Sequence, residues 1–185
     1  MEWYQIILIV IMFLLLFVMF FNPKIRLFNL IKQQMKVFIK YNPKVSVQKI
    51  SLHDMFTFIL SPIFISLIIV LGFNFTFSEE VANLLVTVFS IIFTVLFGFI
   101  SVLVGKANSS NKLEKQLVSE TFTSIVSAML LAILSAVLLI IYISMPEKTL
   151  YIKLISNIVI WFSLESLLLL LMITKRSYVI FSNAK

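Results

Sequence analysis

The hydrophobic pattern of this chain is dominated by five long apolar runs separated by shorter polar segments. A helix needs about 20 residues to cross the hydrocarbon core of a bilayer, and each run is close to that length. The runs are Trp3–Phe21, Met55–Phe73, Ala82–Val104, Thr121–Ile143 and Leu154–Ile173. This pattern predicts an all-α integral membrane protein with five transmembrane helices in one membrane domain over residues 1–185.

The first two runs need separate arguments. Trp3–Phe21 has no basic segment before it and no small-residue cleavage site after it, so we interpret it as an uncleaved anchor. Met55–Phe73 contains Pro62, which removes one backbone hydrogen-bond donor. Because Ser61 and Ser66 can bond to backbone carbonyls nearby, we expect this run to stay helical with a kink.

The distribution of positive charge orients these helices. If all five runs cross, 13 of the 15 Lys and Arg residues fall on one side, in segments 22–54 and 105–120 and in the tail after residue 173. The positive-inside rule then places the N-terminus outside and the C-terminus in the cytoplasm, as in a bacterial inner-membrane protein. The net charge of +7 is explained by topology and anionic lipid headgroups, and no direct nucleic-acid binding is expected.

The segment between the first two runs predicts an amphipathic helix over residues 24–40. Apolar residues recur there at helical spacing, and the polar positions include the basic residues Arg26, Lys32, Lys36 and Lys40. Two interpretations remain open: the helix lies flat on the inner leaflet, or it docks a cytoplasmic protein. After Pro43, the alternation over Val45–Ile50 favours a short extended stretch.

The remaining connections indicate where a partner can bind. Gly105–Glu120 is the most hydrophilic stretch, and Leu113–Glu120 within it is predicted to extend the fourth run as a cytoplasmic helix. On the opposite side, the connections Asn74–Val81 and Ser144–Lys153 are very short. We therefore expect a protein partner in the cytoplasm.

The fourth run carries a packing signal. Small residues recur at every fourth position, at Ser124, Ala128, Ala132 and Ala136. Such a stripe lets two helices approach closely, which favours association in lipid. It can serve packing inside one protomer or contacts in a homo-oligomer.

The fifth run contains a carboxyl group near its middle, at Glu165. A carboxylate near the bilayer midplane costs about 2.5–3.5 kcal/mol on insertion scales, so it is rarely left facing lipid. Asn157 and Trp161 lie eight and four residues upstream on the same helical face, and Ser163 and Ser166 flank the carboxyl. This predicts a polar intramembrane site, which is either a protonated carboxyl bonded to a serine in a helix contact or part of a polar pathway.

Catalytic signatures are missing from the sequence. The chain has no Cys and a single His, His53, and it contains neither a His-Glu-x-x-His nor a Gly-x-Ser-x-Gly motif. We expect no catalytic, cofactor or metal site, and a function other than that of an enzyme.

Three segments, Asp54–Ser66, Phe89–Phe99 and Glu120–Ala132, together with the Lys- and Asn-rich loop before the last, carry a resemblance. They resemble small bacterial tetraspan proteins found among anti-phage defence genes, such as the membrane subunit of the Kiwa system. The resemblance implies an oligomeric membrane sensor or effector that works with a cytoplasmic partner, and it transfers no catalytic residue. Two alternatives from other classes are a small channel or membrane-perturbing protein lined by Glu165, and a bacteriocin-immunity or accessory protein.

Overall fold

The computed structural model describes residues 32–35, 39–42, 47–50, 56–106, 112–144 and 150–182. These residues form four long helices, one β-hairpin and a short helical segment over residues 32–35. The strands are β1 (Ile39–Asn42) and β2 (Val47–Ile50), and the helices are α1 (Phe56–Gly72), α2 (Glu79–Lys106), α3 (Lys112–Ile143) and α4 (Leu150–Ser182). The first predicted span, Trp3–Phe21, lies outside the described residues.

Three of the helices, α2, α3 and α4, are long and apolar enough to cross a membrane, as judged by length and composition. They contain 28, 32 and 33 residues, and each includes one predicted run. The chain is therefore a membrane protein. The helix α1 coincides with the second predicted run, but its 17 residues span only about 25 Å at 1.5 Å per residue, so its crossing stays a prediction.

The proline in α1 is accommodated by wider helical turns and by serine hydroxyls. The centre of α1, Ser61–Leu67, is α-helical, and π-helical turns lie on both sides of it. Ser61 Oγ donates to the carbonyl oxygen of Thr57 at 2.7 Å, and Ser66 Oγ donates to that of Ile63 at 2.8 Å. A proline removes a backbone donor, and local widening together with hydroxyl donors compensates for it. The predicted bonding of Ser61 and Ser66 is confirmed.

A β-hairpin replaces the C-terminal end of the predicted amphipathic helix. Residues 32–35 are helical, but Lys40 belongs to β1, which pairs antiparallel with β2 from Ile39 opposite Ile50 to Asn42 opposite Val47. The prediction that the helix extends to Lys40 is therefore wrong, and the fold contains a β-hairpin in addition to its helices. Pro43 disfavours helical geometry for the residue before it, and the pairing of two extended arms satisfies their backbone groups. The extended stretch predicted after Pro43 is confirmed over Val47–Ile50. Arg26 and Lys36 lie outside the described residues.

The described helices are arranged in a row in which α3 packs between α2 and α4, and α4 also packs against α1. Successive helices among α2, α3 and α4 run antiparallel. In one hydrophobic cluster the C-terminal parts of α2 and α4 pack against the N-terminal part of α3, and in the other the N-terminal parts of α2 and α4 pack against the C-terminal part of α3. One cluster contains Leu96, Leu103, Val118, Ile125, Ala128, Leu169, Ile173 and Ile180, and the other contains Ala82, Phe89, Ala132, Leu139, Tyr142, Ile155 and Val159.

The small-residue stripe of α3 lies inside this packing. Ser124, Ala128 and Ala132 are fully buried, and Ala136 is partly buried. Ala128 belongs to the first cluster and Ala132 to the second, and both clusters include residues of α2 and α4. The stripe therefore serves close packing within one protomer, which settles the alternative that the sequence leaves open for these three residues.

Different polar contacts join the helices at the two opposite ends of their long axes. At the end where α4 finishes, Arg176 of α4 forms an ion pair with Glu120 of α3. At the end where α4 begins, Tyr142 Oη donates a hydrogen bond to the carbonyl oxygen of Phe77 at 2.6 Å, and Lys153 Nζ donates one to Asn74 Oδ1 at 3.0 Å. The helical extension before Glu120 is confirmed, and it lies at the same end as the basic tail of α4.

Candidate intramembrane polar site

The candidate site lies on the flank of α4, beside the face that packs against the other helices. That face is marked by residues at helical spacing, including Val159, Ser166, Leu169 and Ile173, which are all buried. Glu165 precedes Ser166 by one residue, so its side chain is turned about 100° from the direction of Ser166. The carboxyl group is consequently half-buried at the edge of the helix contact.

Glu165 has no polar partner among the described residues: its carboxyl makes neither a hydrogen bond nor an ion pair with them. Ser163 Oγ donates instead to the carbonyl oxygen of Val159 at 2.6 Å, and Ser166 Oγ donates to that of Ser163 at 3.0 Å. The structure therefore does not bring the two serine hydroxyls to the carboxyl, and the carboxyl–serine contact is not formed.

Two further polar groups lie along the same flank. Asn157 Oδ1 and Trp161 Nε1 are both buried without a hydrogen-bond partner among the described residues. Asn157, Trp161 and Glu165 follow one another at four-residue spacing, so they form a stripe about 12 Å long at 1.5 Å per residue. We call these three residues the polar stripe of α4. The Trp161 ring is fixed partly by its neighbour Phe162, whose ring centroid is 5.2 Å away.

The polar stripe offers both hydrogen-bond donors and hydrogen-bond acceptors. The indole N–H can only donate a hydrogen bond, the Asn157 oxygen can only accept one, and the carboxyl can accept or, when protonated, donate. In a medium without water, such groups favour a partner that supplies the matching donors and acceptors. Within the described residues, no three His, Cys, Asp or Glu side chains are grouped so that they could hold a metal ion.

Sequence reasoning did not predict that two serine hydroxyls, one on α3 and one on α4, are buried without a partner in the described part of the chain. Ser135 and Ser156 are fully buried, and their Oγ atoms have no hydrogen-bond partner among the described residues. Each lies at helical spacing from a residue of the second cluster, Ser135 from Ala132 and Ser156 from Val159, so both face the packed side of their helix. The spacing of Ser135 from the stripe of α3 was the available signal.

The described part of the predicted amphipathic helix contacts α3. Ser127 Oγ donates to Gln34 Oε1 at 3.3 Å, whereas Gln34 Nε2 is buried without a partner among the described residues. Ser127 is seven residues beyond Glu120, so the contact lies about 10 Å further along α3 than the ion pair. Lys32, two residues before Gln34, is exposed.

Comparison of the chain with family models, with curated proteins and with solved structures finds no match in any of the three. The resemblance to small defence-associated membrane proteins therefore stays a prediction.

Proposed function

We propose that this protein is a non-enzymatic component of a bacterial anti-phage defence system, and that it acts in the inner membrane as a homo-oligomer with a cytoplasmic protein partner. In this proposal, the polar stripe of α4 is the intramembrane contact through which the protein senses or transmits the trigger. The observation that carries the proposal is the half-buried carboxyl of Glu165, which has no partner among the described residues.

The physical argument starts from the cost of an unpaired carboxyl. A polar group in hydrocarbon that has no hydrogen-bond partner in its own protomer gains the most free energy from a partner on another protein. A membrane helix of another protein that carries a donor at the depth of Glu165 should therefore bind α4 preferentially. The stripe presents three groups one helical turn apart. A single partner helix with polar residues at four-residue spacing can therefore meet all three at once.

The proposed cytoplasmic partner is supported by the charges at one end of the helix row. Lys115 and Lys175 are exposed there, near the ion pair of Glu120 with Arg176. A protein with an acidic surface, or anionic lipid headgroups, complements this end electrostatically. The link to defence itself rests on the resemblance described above.

The test compares substitutions at Glu165 with a matched change elsewhere on α4. Glu165→Gln keeps the volume and the hydrogen-bonding capacity but cannot ionise, whereas Glu165→Leu removes both. Thr174→Val is the control, because it removes a polar group at nearly constant volume from an exposed position on the opposite side of the same helix. Membrane abundance and phage plating efficiency are measured in cells that also carry the neighbouring genes.

We expect both Glu165 variants to reach the membrane at wild-type abundance. Glu165→Leu should abolish protection, Glu165→Gln should reduce it less because the amide still forms hydrogen bonds, and Thr174→Val should change neither abundance nor protection. Protection at wild-type level in both Glu165 variants contradicts the proposed role of the stripe. An ion leak that appears with the wild-type protein and disappears with Glu165→Gln identifies a channel and replaces the proposal.

A further inference from the structure

Two polar atoms of the polar stripe are closed to solvent although no described residue bonds to them. Asn157 Oδ1 is an acceptor and Trp161 Nε1 is a donor, and both are buried without a hydrogen-bond partner among the described residues. A buried polar group without a partner costs free energy, so each atom favours a matching group. Because both atoms are already buried within a single protomer, their burial points to a partner in the same chain.

The N-terminal part of the chain reaches the helix row on the side that carries these atoms. Gln34 contacts Ser127 of α3. Ser127 lies seven residues after Glu120, so at 100° per residue it points within about 20° of Glu120, which contacts Arg176 of α4. Arg176 lies eleven residues after Glu165, so these two side chains also differ in direction by about 20°. The contact of Gln34 and the polar stripe therefore lie on one side of the pair formed by α3 and α4.

The chain before Gln34 contains one apolar run, Trp3–Phe21, which lies outside the described residues. Twelve residues, 22–33, connect it to Gln34, and at most about 3.6 Å per residue they span up to roughly 40 Å, so the run can reach the polar stripe. Within the run, Gln5 is the single residue with a carboxamide. A carboxamide offers both a donor and an acceptor, which are the two groups that Asn157 Oδ1 and Trp161 Nε1 require.

The depths of these groups match when the first run crosses in the direction predicted from charge. Gln5 is two residues inside the outer end of the first run, and Asn157 is three residues inside the outer end of the fifth. The side chain of Trp161 leans toward the start of α4, which brings its ring toward the level of Asn157. Leu154, seven residues before Trp161 on the same flank, is 54% exposed. The buried part of this flank therefore begins close to the depth of Gln5.

We propose that Trp3–Phe21 packs as a helix parallel to α4 along the flank of the polar stripe, with the Gln5 carboxamide donating to Asn157 Oδ1 and accepting from Trp161 Nε1. One side chain then satisfies both atoms. Glu165 lies eight residues deeper than Asn157, at the level of Phe13, where the run is apolar. The inference does not rest on the proposed function, and it narrows the proposed contact with another helix to Glu165.

Cross-linking within one chain tests the contact, because the chain has no natural cysteine. Gln5→Cys is combined with Asn157→Cys, and in the matched control with Leu84→Cys. Leu84 is 65% exposed on α2 and lies two residues inside the outer end of the third run, at the depth of Gln5. A protease site inserted between β1 and β2, within residues 43–46, separates the fragment that contains Gln5 from the fragment that contains either second cysteine. Native membranes are treated with a short thiol-specific cross-linker before cleavage.

We expect the two fragments to stay linked in the protein with Gln5→Cys and Asn157→Cys, and to separate in the control. Equal linkage in both proteins, linkage in the control alone, or no linkage in either overturns the proposal. Uncleaved samples distinguish a link within one chain from a link between copies. A product of twice the mass places the first run of another copy on this flank and also overturns the proposal.

A double-mutant cycle gives a second measurement that does not depend on cysteines. Gln5→Leu and Trp161→Phe should each lower the melting temperature in detergent, and the double variant should lose less than the sum of the two, because either change alone breaks the shared hydrogen bond. Gln5→Leu combined with Ser90→Ala, at an exposed position of α2, should be additive. Additive losses in the first cycle overturn the proposal. Neither cycle bears on the loss of protection expected from the Glu165 variants, so this inference and the proposed function fail separately.

Discussion

Arg176 Nη2 lies 3.4 Å from Glu120 Oε2, and this ion pair joins the end of α4 to the early turns of α3. The other carboxylate oxygen of Glu120 accepts a hydrogen bond from Gln116 Nε2 at 2.9 Å. The two charged side chains are only 17% and 29% exposed, so the pair is partly removed from solvent. Arg176 Nη1 is buried without a partner among the described residues, and the guanidinium therefore depends on Glu120 for its compensation.

The ion pair is predicted to stabilise the packing of α3 on α4. Glu120→Gln should lower the free energy of unfolding by about 1–3 kcal/mol, because it leaves a partly buried cation unpaired. The measurement is thermal stability in detergent, with Lys175→Gln as the control, since Lys175 is exposed beside Arg176. In a double-mutant cycle with Arg176→Gln, additive losses would show that the two side chains do not interact.

Added bulk on the buried stripe of α3 is predicted to destabilise the protomer itself. Ala132 is 1% exposed, so Ala132→Leu should cost about 1–3 kcal/mol through overpacking, and Ala128→Leu should act similarly. Val137→Phe adds bulk at a position of α3 that is 48% exposed, and it should leave stability unchanged. Thermal melting in detergent checks this, and unchanged melting of both alanine variants would contradict close packing at the stripe.

The contact between Tyr142 and Phe77 is predicted to hold the connection after α1 against α3. Tyr142→Phe removes the 2.6 Å hydrogen bond but keeps the ring and its edge contact with Phe77, so we expect a loss of about 0.5–1.5 kcal/mol. Tyr151→Phe, at an exposed position of α4, is the control. Equal stability of the two variants would mean that the hydrogen bond contributes nothing.

Reporter fusions test the orientation predicted from charge. Fusions after Lys40, Ser110 and Lys185 should read as cytoplasmic, and fusions after Glu80 and Glu147 as external, because Lys and Arg residues are retained on the cytoplasmic side. An external reading after Lys40 with a cytoplasmic N-terminus would reverse the arrangement. An external reading after Lys40 with an external N-terminus would mean that Trp3–Phe21 does not cross.

The helices were predictable because each depends on its own sequence. The last four apolar runs, the extension before Glu120 and the bonding of Ser61 beside Pro62 are local properties, and the structure shows each of them as helix or as a hydrogen bond within a helix. The hairpin was not predicted over its first strand, because a four-residue strand is stabilised by its pairing with β2 and not by its own periodicity.

The surroundings of Glu165 could not be predicted, because they depend on which helices lie beside α4. The sequence places Asn157 and Trp161 on the same face, which the structure retains, but the serine hydroxyls turn to their own backbone. The spacing of Ser163 and Ser166 does not determine whether each hydroxyl donates to the Glu165 carboxyl or to a carbonyl oxygen of its own helix.

The row arrangement has a consequence for how the protein is made. The helices α2, α3 and α4 each pack on the helix that precedes or follows them in the chain, whereas α1 packs mainly on α4, which is synthesised last among the described helices. At 5–20 residues per second, on the order of ten seconds pass between the emergence of α1 and that of α4. During this interval the buried side of α1, with Pro62, Ser66 and Val70, has no permanent neighbour among the described helices and is open to the insertion machinery or to lipid. The packing of α1 on α4 can therefore form only after α4 has been synthesised. Among the described helices, α1 depends most on translation of the rest of the chain.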